Sequence, residues 1–282
     1  MKPIKSILAP TDFSPVANNA LAYAVGMAKE LDAKLYVLHS FRVPAISDTA
    51  YPISGVYPEG MVDFESIKTE VQKELDKVEK TYLSDTKLKY QTLMKTGFAE
   101  ENIRETIQEN DIDLVVMGTR GSNALQELFG STTSHMISST DVPILVIPKT
   151  AEFTKIDNIV LASDYKQHYK AQTFDVLMNM VSLFHASVDV LHVRPKDKKM
   201  SGEELDSGEG LNRILKKTRH TFHFQSEDDN VDEALETFLQ KHDKSMLAMV
   251  PHKHSLIDRM MNGSRTQHMI FHTKKPLLVM RE

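Results

Sequence analysis

The feature that most limits what this chain can fold into is that it repeats itself. Residues 4–40 and 156–193 follow one pattern: a β-rich run, a short turn holding an Asp, a helical stretch, and a second β-rich run that closes on Leu-His. Asp12 falls opposite Asp164, and His39 opposite His192. The halves also end alike, residues 111–148 matching 243–280 with Gly130-Ser131 opposite Gly263-Ser264. The 282 residues are therefore expected to form two similar domains, 1–150 and 151–282, joined through the polar stretch from Lys149 to Lys155.

Within the first half, short apolar runs at Ile7–Ala9, Leu35–Leu38, Leu114–Met117 and Ile144–Ile147 alternate with longer helical patterns, the signature of βαβ units. Helices are predicted over 15–31, 62–83, 99–109 and 131–139, with a weaker strand near 88–94. Ser14-Pro15 supplies an N-cap and a proline for the first helical position, while Asp141 and Pro143 break the chain before the last strand. The run from Glu65 to Lys80 sets Ile67, Val71, Leu75 and Val78 on one side of an amphipathic helix. Right-handed crossovers then give each half a five-stranded doubly wound parallel sheet, buried on both faces. The apolar terminal strands, Pro143–Pro148 and Pro276–Met280, would lie at sheet edges and are expected to pair with each other in a pseudo-twofold arrangement, an intramolecular pseudo-dimer that leaves room for a homodimer. In the second half, residues 196–210 (KDKKMSGEELDSGEG) are charged and contain Gly and Ser, which points to a mobile loop.

Charge and cysteine content narrow the function. The first 150 residues carry 15 basic and 20 acidic side chains and the remainder 19 of each, so the net charge of -5 sits on the first half and gives no general attraction for nucleic acid. With Cys 0, disulfides, thiol catalysis and Cys-ligated metal are excluded. The N-terminal apolar run is too short for a signal peptide and no stretch reaches transmembrane length, so a cytoplasmic protein without a membrane partner is the expectation.

In an open parallel sheet, ligands bind at the carboxyl ends of the strands where the winding reverses. Pro10-Thr11-Asp12 follows the first strand; Met117-Gly118-Thr119-Arg120-Gly121 follows the fourth, with Gly130-Ser131 at a predicted helix start. Glycine lets a phosphate approach the backbone and helix-start N–H groups favour an anion. Asp12 can accept from a ribose hydroxyl or a base edge, or can cap its own turn, and Arg120 offers a cationic fork. Ser131 is expected to cap its helix in either case. In the second half, Pro251 replaces Gly118 and His254 replaces Gly121, which removes an N–H donor and adds bulk, so that site is predicted to be degenerate.

ILAPTDFS at the first strand, a Leu-His ending on the second, and MGTRG followed by GSTTSHMISSTDVPILVIP resemble the universal stress protein family, in the tandem arrangement some members have. The resemblance implies an adenine nucleotide alpha hydrolase-like, Rossmann-like α/β sandwich in each half. Some members bind ATP or a related adenine nucleotide and others none. By position, it implies that Pro10, Thr11 and Asp12 line the adenine and ribose end with the Ser40 backbone beside the base. Met117, Gly118, Arg120, Gly121, Gly130, Ser131 and Thr132 would follow the ribose and phosphates. No cofactor is obligatory on this resemblance; the ligand would be ATP, ADP or AMP, with or without Mg. Nucleotide-binding members typically place nine residues between the second glycine and the Gly-Ser pair, whereas Ser122 to Phe129 are eight, and the second-half loop has the same interior. That shortening argues against a triphosphate cradle.

No general base, nucleophile or metal-ligand set accompanies these residues, so the expectation is a stress-response or signalling protein that is not an enzyme, with at most slow ATP hydrolysis and an unidentified protein partner. Two readings compete: a ligand-independent interaction scaffold, and an ATP-cleaving relative. A phospho-acceptor receiver is disfavoured because its Asp follows the third strand. His220 with His223 and His252 with His254 are the closest imidazole pairs, but no third ligand at defined spacing accompanies them and no metal is expected. Met residues over 176–181 and at 260–261 fit core filling.

Overall fold

The computed structural model describes residues 1–42, 64–84, 87–119, 131–165, 168–194, 200–226, 231–251 and 275–281. The first half runs β1 (Ser6–Pro10), α1 (Pro15–Leu31), β2 (Lys34–Phe41), α2 (Phe64–Val78), β3 (Tyr90–Thr96), α3 (Ala99–Glu109), β4 (Leu114–Gly118), α4 (Ser131–Ser139) and β5 (Ile144–Ile147). The second runs β6 (Asn158–Ala162), α5 (Asp175–Phe184), β7 (Ser187–Arg194), α6 (Gly202–Leu215), β8 (His220–Ser226), α7 (Val231–Gln240), β9 (Ser245–Met249) and β10 (Leu277–Val279).

Local chemistry sets the helix ends. The Ser14 hydroxyl accepts from the Ala17 N–H and Pro15 starts α1; the chain leaves the helix at Asp32, left-handed at φ 48, whose N–H turns back to the Ala28 and Lys29 carbonyls. Ala17, Ala20, Ala24 and Ala28 are buried along one side, and their small side chains let α1 lie close on the sheet.

The ten strands form one sheet in the order β3-β2-β1-β4-β5-β10-β9-β6-β7-β8. Within each half every pairing is parallel; at the centre β5 and β10 pair antiparallel, Leu145 opposite Leu278, which is the expected joining of the terminal strands. Two apolar layers cover the sheet, and each draws on both halves. One packs Leu21, Met27, Leu177, Leu211 and Leu215 from α1, α5 and α6. The other packs Ile103, Met136, Ile137, Leu235, Phe238 and Leu239 from α3, α4 and α7.

The seam is ordered. Asn19 donates to the carbonyls of Pro148 and Ala151. Phe153 lies against Gly26 of α1, edge-on to Tyr23 and 6.0 Å from the ring of Phe184 on α5. Asn179 of α5 donates to the Lys2 carbonyl, and Arg281 donates to Ser138 at the carboxyl end of α4, where a cation is favoured. Below β1 and β4, Asp113 accepts from the N–H groups of Lys5 and Ser6 and pairs with Lys2 at 2.7 Å.

Three expectations change. Residues 202–210 are not a loop but the start of α6, because Ser201 and Glu204 form a reciprocal capping box and Ser207, Leu211 and Leu215 are buried; 195–199 lie outside the described residues. The long helix predicted to 83 ends as α2 at Val78 and continues as a π turn, Glu79–Leu83, with Glu79 accepting from the Tyr90 hydroxyl. The strand placed near 88–94 is Tyr90–Thr96. Met178 and Met180 lie in α5, as core filling requires, whereas Met260 and Met261 fall outside the described residues.

Candidate nucleotide site

In the first half β1 is flanked by β2 on one side and β4 on the other, so the winding reverses between β1 and β4. Thr11-Asp12 and Gly118-Thr119 leave the sheet side by side at this crevice, on strands paired in parallel. Thr11 is buried, its N–H donating to the Leu38 carbonyl. The exposed Asp12 turns one carboxylate oxygen back to accept from the Ser14 N–H, so the turn-capping role is realised.

Phe13 follows in the left-handed region, φ 61, where a bulky residue needs outside support. It finds this in His39 at the end of β2: the rings stack at 4.2 Å with planes 21° apart. The His39 Nδ1 lies 2.8 Å from the Thr11 carbonyl, which can only accept, so this nitrogen carries the proton. Burial lowers the His39 pKa, outweighing the opposing pull of the Thr11 carbonyl and Asp12, so the ring is neutral at neutral pH.

Gly118 packs beneath the first turn of α1: a Cβ there would stand 2.7 Å from Val16 Cγ1 and 3.0 Å from the Val16 carbonyl oxygen. The glycine therefore has a packing reason independent of any ligand. The Thr133 hydroxyl donates to the Gly118 carbonyl, tying the start of α4 to the end of β4. Ser131 is the first residue within α4 rather than the residue that precedes it. The neighbouring Thr132 donates to Glu100 at the start of α3 at 2.9 Å. Pro10 and Ser40 are half-buried, and Met117 is buried on the α3 and α4 side. Arg120, Gly121 and Gly130 lie outside the described residues, as do His252, His254 and Gly263-Ser264.

The second half repeats the strand-end arrangement between β6 and β9. Tyr165 takes the place of Phe13 at φ 54 and stacks on His192 at 4.6 Å, while the His192 Nδ1 lies 2.8 Å from the Ser163 carbonyl. The mouth differs. Val250, and not Pro251 as expected, takes the place of Gly118, since Leu247 pairs with Val160 as Val115 does with Leu8; Pro251 falls at the place of Thr119, both residues are buried, and the helix begins only at Ala171, with a 3-10 turn leading into α5. Burial, with Tyr169 beside it, keeps the Tyr165 phenol protonated well beyond neutral pH.

His220 and His223 do not converge. His220 bonds the Thr218 carbonyl and Asn212, while His223 bonds Asp189 on the other side of β8, and no group of three His, Cys, Asp or Glu able to hold a metal occurs among the described residues. No described helix is long and apolar enough to cross a membrane. The sequence reading missed Phe13, Tyr165, Thr133 and Glu100; an aromatic after each repeat's Asp, matched by a His at each Leu-His, was the signal available for the first two.

The universal stress protein family model matches residues 3–148. A universal stress protein of Methanocaldococcus jannaschii is 34% identical over 51% of this chain and 82% of its own. One from Synechocystis is 24% identical over 99% of this chain and 100% of its own. In three dimensions, the chain is similar to a universal stress protein of Archaeoglobus fulgidus, with a TM-score of 0.69 at 17% identity, covering 98% of this chain and 96% of that one. The alternation of strands and helices, the Asp turns and the match over the first half together make this chain a member of the universal stress protein family.

Proposed function

We propose that the first half, within 1–150, binds an adenine nucleotide at the β1–β4 crevice, and that the protein acts in stress signalling by binding rather than by catalysis. The observation that carries this reading is the meeting of Thr11-Asp12 with Gly118-Thr119 where the winding reverses, beside the start of α4. Asp12 would accept from the ribose, the Ser40 backbone would face the base, and Gly118, Arg120, Gly121, Gly130 and Ser131 would lie towards the phosphates. The nucleotide supplies negative charge to a backbone-rich loop, and binding would shift the population of surfaces read by a protein partner.

The charge beside α4 favours short phosphate chains. Glu100 bonds Thr132, so a carboxylate stands at the helix start that a polyphosphate would approach. Like charge there opposes ATP more than AMP. The second half, 151–282, is proposed to be a degenerate site, since Pro251 offers no N–H and α5 starts far from Asp164.

Isothermal titration of nucleotide-stripped protein with ATP, ADP and AMP tests the reading. AMP should bind at least as tightly as ATP, Asp12→Ala should abolish binding, Asp164→Ala should not, and Glu100→Gln should improve ATP relative to AMP. Absence of binding at millimolar nucleotide would remove the proposal. Steady-state assays should show at most slow ATP hydrolysis. The scaffold reading has one observation in its favour, the packing of Gly118 on Val16, and predicts no thermal shift with any nucleotide.

A further inference from the structure

Strands β9, β6, β7 and β8 lie side by side, and the segments that enter them are bonded one to the next. Asp157 donates its N–H to the Lys244 carbonyl, Ser187 to the Asp157 carbonyl, and Val188 to the Arg219 carbonyl. This margin carries Lys155, Lys216, Lys217, Arg219, Lys241 and Lys244, all exposed, against the acidic Asp157 and Asp243. Among the described residues, only Lys155 of these six makes an ion pair, with Asp157 at 3.9 Å. Arg219 turns one guanidinium nitrogen to the His185 carbonyl.

A cation is favoured beside a helix carboxyl end, and Lys216, Lys217 and Lys241 follow α6 and α7. The fold does not demand them, because the first half sets acids at matching places. Asp32 closes α1 where His185 closes α5, both left-handed. From the strand register, Glu109 and Asp113 hold the places of Lys241 and Ser245. Lys2 on that margin is neutralised by Asp113 at 2.7 Å. One backbone plan thus ends in mixed charge in the first half and in unpaired positive charge in the second. Because β5 and β10 run antiparallel, the basic margin faces the same way as the β1–β4 crevice and begins at β9, three strands beyond β4.

We propose that the β9–β6–β7–β8 margin binds an acidic, extended segment of a partner protein. Neighbouring strands lie about 4.8 Å apart, so the margin spans about 14 Å, the reach of about five extended residues. Carboxylates on alternate residues of such a segment stand about 7 Å apart, a spacing that flexible lysine side chains can follow. Phosphate recognition draws instead on arginine forks, and the one arginine here already spends part of its fork on His185. A single-stranded nucleic acid also needs rings on which to stack its bases. The exposed Phe64 and Phe98 belong to the β2 and β3 end of the sheet, and Phe224 lies towards the far end of β8. Among the described residues no large apolar side chain is exposed on this margin, so a bilayer would be held by charge alone. A duplex, longer than the margin, would also meet the first half, which carries the whole net charge of -5. None of the crevice residues takes part, so the proposal stands apart from the nucleotide reading.

A fluorescein-labelled oligoglutamate peptide of about eight residues, titrated with the full chain, should bind with a dissociation constant that rises with salt. The triple variant Lys216→Glu, Lys217→Glu, Lys244→Glu should weaken binding by at least about tenfold. Lys29→Glu, Lys87→Glu, Lys89→Glu changes the net charge equally at exposed positions on the first half's own margin, and should weaken it by less than about twofold. Circular dichroism and melting temperature should hold in both. A second arm uses the unaltered chain: acetylation of its lysines, read by mass spectrometry, should be slowed by the peptide at Lys216, Lys217, Lys241 and Lys244 but not at Lys29, Lys87 or Lys89. No binding at about 0.1 mM protein in low salt, equal loss in the two triple variants, or protection spread over all these lysines would each overturn the proposal. So would tighter binding of polyuridylate or of phosphatidylserine vesicles through the same lysines, or a self-association of the chain that the first triple variant abolishes.

Discussion

The contact between Gly26 and Phe153 makes a prediction whose sign depends on the background. Gly26 lies inside α1, where alanine ordinarily gains about 1 kcal/mol in helix propensity. Here the added Cβ would stand 2.3 Å from Phe153 Cδ1, 2.6 Å from Cγ and 3.0 Å from Cε1. Those atoms include the root of the ring as well as its rim, so no rotation clears them, and the ring must leave its place between Tyr23 and Phe184. Losing a half-buried phenylalanine costs about 2 kcal/mol. Gly26→Ala should therefore destabilise the native chain by about 1 kcal/mol. In a Phe153→Ala background, already weakened by about 2 kcal/mol, the same substitution should stabilise by about 1 kcal/mol, a coupling of about 2 kcal/mol. Urea unfolding of the four proteins, followed by far-ultraviolet circular dichroism with the slope checked for constancy, measures the cycle. If Gly26→Ala has the same effect in both backgrounds, Phe153 does not seal the seam between the halves.

Gly118→Ala should cost about 1–3 kcal/mol in urea midpoint without any nucleotide present, because even after Val16 turns aside its carbonyl oxygen remains 3.0 Å from the new carbon; an unchanged midpoint would show that the first turn of α1 yields freely. Burial alone would raise the Asp113 carboxyl, but its bonds from Lys2, the Lys5 N–H and Ser6 prevail and hold it below the usual range. Its stabilisation is then complete above the unfolded carboxylate pKa and lost as pH falls through the lower folded value, so the melting-temperature gap between the native chain and Asp113→Asn should close on acidification. His39, lowered by burial, binds its proton less readily folded than unfolded. Stability from this group should be full above the unfolded imidazole pKa and decline as pH falls below it, and His39→Gln should flatten that dependence in melts taken between pH 5 and 7; a proton-titrating His39 ring at its ordinary pKa by NMR would contradict this.

Much of the site was legible because its residues sit at chain positions with a local signature. Ser14-Pro15 announced α1, the Asp turns marked the strand ends, and paired Leu-His endings fixed the frame of the repeat. The start of α6 was legible too, in Ser201 and Glu204, but the charge and glycine of the segment outweighed a two-residue signal whose buried partners lie on other strands. The stacks of Phe13 on His39 and of Tyr165 on His192 join separate βαβ elements, so no spacing rule predicts that the rings meet. Glu100 beside Thr132 is of the same kind: the two come together only when α3 and α4 pack on one face.

By itself the sequence determined the repeat, the order of strands and helices in the first half and the parallel direction of its strands, because these follow from periodicity and from capping and turn chemistry within a few residues. Tertiary structure alone decided which groups remain at the crevice for a ligand. It assigned Gly118 to Val16, Thr132 to Glu100 and the His39 proton to Thr11. Such assignments depend on distances between segments far apart in the chain, which exist only once the sheet has closed around its central β5–β10 pair.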